Sequence, residues 1–101
     1  MLFGVFAIHS PESCPMNNKE SREMFMQIQD KIEANLESFK VSKILGFYMS
    51  VLEHEWIIIL DADNSHDIEK LCIEVGISSV STVKIVPINM YSDAIEKMKS
   101  L

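Results

Sequence analysis

Residues 55–62 read EWIIILDA, and the fold turns on how these side chains divide. The run is short, β-branched and bounded by charged residues, which predicts a strand. Side chains alternate along a strand. Trp56, Ile58 and Leu60 therefore take one face, and Ile57 and Ile59 the other. Both faces are apolar, so this strand expects cover on two sides.

The N-terminal stretch LFGVFAIH (2–9) has the same character. Phe3, Val5 and Ala7 share one face, Leu2, Phe6 and Ile8 the other, and Ser10-Pro11 ends the strand. VSKILGFYMSV (41–51) alternates over Leu45, Phe47, Met49 and Val51, and Gly46 inside it marks a bulge or a close backbone approach. VSTVKIVPI (80–88) is the fourth strand; Pro87 cannot donate to a ladder, so it belongs at an edge or a strand end. The LEHE connection at 52–55 lacks Asn-Gly or Asp-Gly, predicting a looser hairpin.

Helices fill the intervals. Met24, Phe25, Ile28, Ile32, Leu36 and Phe39 recur at helical spacing, predicting a long amphipathic helix over about 18–39; Asn17 and Asn18 are its N-cap candidates, and Asn17 with Glu20 resembles a capping box. A second starts at Asn64 or Ser65, carries Ile68, Leu71, Cys72 and Val75 on one face, and ends at Gly76. A third, capped by Ser92, directs Ala94, Ile95, Met98 and Leu101 inward. The order β-α-β-β-α-β plus a terminal helix predicts one α+β domain over 1–101, ferredoxin-like, with a four-stranded antiparallel sheet.

The helices cover one face of that sheet. The other is too apolar to stay wet. A second copy of the sheet is the economical cover, giving an isologous homodimer packed face to face. This element order, length and doubly apolar sheet resemble the dimeric α+β barrel superfamily. Within it, HSPESCP (9–15) before a long helix and EHEWIIILDAD (53–63) before the next resemble a family of small prokaryotic domains. That family carries a His-Ser/Thr-Pro-Glu-x-Cys-Pro stretch after the first strand and a Glu-His pair opening the third. The superfamily includes cofactor-free monooxygenases, isomerases, haem enzymes and ligand-sensing domains, so the resemblance implies a fold and leaves the chemistry to the site.

Composition narrows the partners. The chain has 101 residues, 48% hydrophobic and 24% charged, with a net charge of −6. An acidic domain without a basic stripe is not expected to bind nucleic acid or an anionic membrane. Outside the N-terminal strand the longest strictly apolar run is WIIIL, too short to span a bilayer. The N-terminus has no basic flank or small-residue cleavage pattern, so no signal peptide is expected. Two cysteines make no disulfide framework, and the expected location is cytoplasmic.

The candidate chemistry lies in AIHSPESCPMNN (7–18). In a ferredoxin-like sheet the first and third strands are adjacent and antiparallel. His9 ends the first, His54 opens the third, and Cys14 lies in the loop between strand and helix. Tyr48, late in the second strand, is expected at the same end. Two imidazoles and a thiolate suit a divalent transition metal such as zinc, copper or iron. Glu12, Glu53 or Glu55 is a candidate fourth ligand or outer acceptor, and Glu12 and Tyr48 are candidates for a ligand pocket. The competing readings are a plain polar strand end, and a catalytic Cys14 thiolate with His9 or His54 as acid or base. Cys72, on an apolar helix face, reads as core.

Other motifs fail. DADNSHD (61–67) has His66 where a calcium loop needs Gly and Cys72 where it needs Glu. The seven methionines read as core filler, and three scattered glycines make no phosphate loop. The expectation is a small homodimer with a ligand or metal pocket at the His9/Cys14/His54 end, doing oxidoreductase-type or proton-transfer chemistry on a small molecule. The alternatives are a non-enzymatic ligand-sensing or interaction module, and a cofactor-free enzyme with its pocket between sheet and helices.

Overall fold

The computed structural model describes all 101 residues, Met1–Leu101. Strands β1 (Leu2–His9), β2 (Val41–Ser50), β3 (Glu55–Ala62) and β4 (Ser81–Ile88) form one antiparallel sheet in the order β2-β3-β1-β4. The helices are α1 (Lys19–Asn35), α2 (Ser65–Val75), a single turn α3 (Ile77–Val80) and α4 (Tyr91–Lys99). This α+β architecture is compatible with a ferredoxin-like fold. No helix is long and apolar enough to cross a membrane.

The core lies between the sheet and α1 and α2. Phe3, Val5 and Ala7 from β1 and Trp56, Ile58 and Leu60 from β3 meet Phe25, Ile28 and Ile32 of α1 and Ile68, Leu71 and Val75 of α2. Burying such a side chain contributes about 1.5–3 kcal/mol, so these alternate positions dominate the sheet's choice of face. Pro87 stands in β4, an edge strand, where its missing N–H costs no internal ladder bond.

Several boundaries moved. Of the two cap candidates for α1, the cap is Asn18, whose side chain accepts from Ser21 N, rather than Asn17 in a box with Glu20. The β2 register shifts twice, between Val41 and Lys43 and between Ile44 and Gly46; at the second, Ile44 faces Leu60, Gly46 faces Ile59 and Leu45 is the looped-out residue. Val51 belongs to the turn, and α4 starts at Tyr91 with no side-chain cap, leaving Ser92 inside it. Asn64 caps α2 through Asp67 N, and Gly76 ends it at φ +93°, the left-handed position that favours glycine.

The second face of the sheet stays open in the single chain. Phe6 and Ile8 of β1 pair there with Ile57 and Glu55 of β3. The Phe6 ring lies over Gly4 and the Tyr48 ring over Gly46, at positions a Cβ would crowd. Lys84 of β4 reaches 5.6 Å from the Phe6 ring centre, so polar groups border an apolar middle.

Helix α4 does not pack as its sequence predicts. It buries no residue, Met98 is 61% exposed and Leu101 beyond it is 99% exposed. Amphipathic spacing states which stripe is apolar, and says nothing of whether its own chain covers it. The methionines depart likewise: only Met24 packs on the core, and the other six are exposed.

Candidate metal centre

Three segments bring three donors to one point. His9 Nδ1 or Nε2, Cys14 Sγ and a His54 ring nitrogen all lie within 4.8 Å of one another. The ring centroids of His9 and His54 are 5.4 Å apart, at 72°.

Each donor arrives for a local reason. His9 continues the inward row of Phe3, Val5 and Ala7, so strand alternation aims it at the helix face. The turn Val51–His54 then joins β2 to β3, with His54 at φ +56°. A left-handed backbone is uncommon outside glycine. Here the His54 carbonyl accepts from His9 N at 3.0 Å, which ties the turn to the end of β1 and sets the rings side by side.

Cys14 is brought in by a clamp. Pro11–Ser13 form a 3-10 turn, with Cys14 N donating to the Pro11 carbonyl at 3.2 Å. The Cys14 carbonyl accepts from Asn17 N and Asn18 N, both at 2.9 Å. Asn18 Nδ2 donates to the Glu12 carbonyl at 3.0 Å while its Oδ1 caps α1. Arg22 Nε donates to the Pro15 carbonyl at 3.0 Å. The first turns of α1 thus hold both sides of Cys14, whose side chain ends 3% exposed.

The surroundings are apolar and aromatic. The His9 ring meets Phe25 edge-on with centroids 5.4 Å apart, and Phe25 meets Trp56 at 4.0 Å. His9 is 4% exposed, and neither of its ring nitrogens has a hydrogen-bond partner. Buried His54 Nδ1 and Trp56 Nε1 are also unpartnered. An unpaired buried polar atom costs about 1–3 kcal/mol. Burial, and then the neighbouring His54, lower the His9 pKa below its ordinary 6.5, favouring the neutral ring that can bind a metal.

The triangle is wide enough for an ion. Three points no more than 4.8 Å apart have a centre at most about 2.8 Å from each, the side divided by √3. Metal–sulfur and metal–nitrogen bonds run about 2.0–2.3 Å, so shifts of under about 1 Å close the site.

The remaining candidates fall outside this group. Glu12 and Glu53 are exposed, and Glu55 pairs with Ile8 on the open side of the sheet. Tyr48, 61% exposed, pairs with Ile57 on that same side, although it reaches the rim of a cleft of about 270 Å³ with Phe25, Phe47 and Trp56. Trp56 Nε1 was missed by the sequence reading; a Trp at the start of a core strand carries no sign that its N–H goes unpaired. Cys72 is a buried core residue whose pKa is pushed up to about 11 by burial and then by Glu69, so its thiol stays protonated.

Neither a scan against protein-family models nor a search of curated proteins finds a match for this chain.

Proposed function

We propose that this chain binds one transition-metal ion through His9, Cys14 and His54, and works as a homodimer. The observation that carries the reading is the approach of three ligand atoms to within 4.8 Å where both His9 nitrogens and His54 Nδ1 are buried without partners. A metal supplies one His9 nitrogen and His54 Nδ1 with the partner each lacks. Burial of the Cys14 thiol argues against the rival reading as a nucleophile, which requires contact with its substrate. The cleft beside Phe25 and Trp56 is the proposed ligand pocket, small at about 270 Å³, with Tyr48 on its rim. Oxidoreductase-type or proton-transfer chemistry on a small molecule is the activity that such a pocket beside a metal would support.

Two features support the dimer. The open sheet face has an apolar middle and a polar border, the anatomy of an interface. The radius of gyration, 14.8 Å, exceeds the roughly 13 Å of a compact chain this long, in keeping with an α4 that finds no cover at home. Membership of the dimeric α+β barrel superfamily, prokaryotic origin and a cytoplasmic location complete the proposal.

The test is metal analysis of untagged protein beside Cys14→Ser and His54→Gly. Glycine accepts the left-handed backbone of position 54, so the second variant keeps its turn. One equivalent of metal per chain is expected, lost in both variants. Wild-type protein that takes up no transition metal contradicts the proposal.

A further inference from the structure

We infer that the ion this site selects is monovalent copper, Cu(I). The inference rests on the metal-site reading above and concerns only which ion fills it.

Charge is the first argument. A Cys14 thiolate with neutral His9 and His54 carries one negative charge. A monovalent ion makes the assembly neutral, whereas a divalent ion leaves one positive charge where His9 and Cys14 are 4% and 3% exposed. Uncompensated buried charge is strongly disfavoured. No carboxylate belongs to the donor group, so no ligand of the set supplies a second negative charge.

Coordination number is the second. Zinc takes four ligands in structural sites, and catalytic zinc completes its three protein ligands with water. This chain offers three donors, set among the apolar rings of Phe25 and Trp56. Thiolate suits both Cu(I) and zinc, but of the two Cu(I) is stable with three ligands.

Thioethers line the neighbouring cleft. Met26 and Met49 are 70% and 44% exposed, and they share that cleft with Phe25 and Trp56. The packed rings of Trp56 and Phe25 lead from there to His9. Thioethers at the rim are donors for Cu(I) and poor ones for zinc.

The experiment uses untagged, reduced, full-length protein under anaerobic conditions. Cu(I), supplied as its acetonitrile complex, is titrated in competition with the chromophoric chelator bicinchoninate. Zn(II) is titrated in parallel against a zinc indicator, and then added in excess to the Cu(I)-loaded protein. The expected result is one Cu(I) per chain, not displaced by Zn(II), with affinity falling about 100-fold or more in Cys14→Ser and in His54→Gly. Zn(II) that binds at one per chain and displaces Cu(I) overturns this inference and leaves the metal-site reading standing. Protein that holds neither ion overturns both. Cu(I) retained equally by the two variants puts the copper elsewhere and also overturns the inference.

Discussion

His9 is 4% exposed with both ring nitrogens unpaired, a costly way to bury a histidine in a protein without metal. Its chemistry sets a pH dependence. The folded pKa lies below 6.5, lowered by burial and then by His54, so as pH falls the unfolded chain takes up this proton first. The metal-free protein therefore keeps the His9 contribution above about pH 6.5 and loses it as pH drops through the lowered folded value. His9→Leu removes both the titration and the unpaired atoms. In urea unfolding, the metal-free variant is expected to match or exceed wild type at pH 8, with an advantage that grows as pH falls below about 6.5. An advantage that shrinks on acidification would contradict the assignment. At the same scale, Cys14 and Cys72 are both buried and only one has imidazoles beside it.

The elements convert distant residues into neighbours, and α1 contributes most through its first turn. Asn18 caps the helix with Oδ1 and holds the Cys14 turn with Nδ2, whereas Asn64 caps α2 with no link to the site. Asn18→Ala and Asn64→Ala should each cost about 1 kcal/mol of stability in urea unfolding, and only Asn18→Ala should also weaken metal binding. Equal metal affinity in the two variants would detach the cap from the site. This also separates what was legible in the sequence from what was not. Alternation in LFGVFAIH and EWIIILDA determined the strands, and chain order brought His9 beside His54. The depth of Cys14 was illegible, because it depends on a 3-10 turn held by side chains of α1. A bulge or close backbone approach was expected at Gly46, but Leu45 was counted in one alternating row with Phe47 and Met49, because alternation cannot say which neighbour loops out.

At the scale of the molecule, the sheet divides its labour. One face holds the core and the His9/Cys14/His54 cluster, and the other holds Phe6, Ile8, Ile57 and Ile59 with no layer above them. The proposed dimer is tested by Ile59→Glu, which puts a charge in the middle of that face without touching the core. Sedimentation should give twice the chain mass for wild type at micromolar concentration and the single-chain mass for the variant. A wild-type monomer, or a variant that remains dimeric, would move the interface elsewhere, with the unpacked stripe of α4 the next surface to mutate. The proposed metal site lies on the covered face, so Ile59→Glu is expected to bind metal as wild type does.

The most direct test of the central claim is a crystal structure of the metal-loaded protein, with anomalous scattering recorded at the metal's absorption edge. The account predicts one peak per chain, about 2.0–2.3 Å from a His9 nitrogen, Cys14 Sγ and His54 Nδ1. A triangle with no peak inside it, or a metal bound elsewhere while these three side chains stay unengaged, would contradict it.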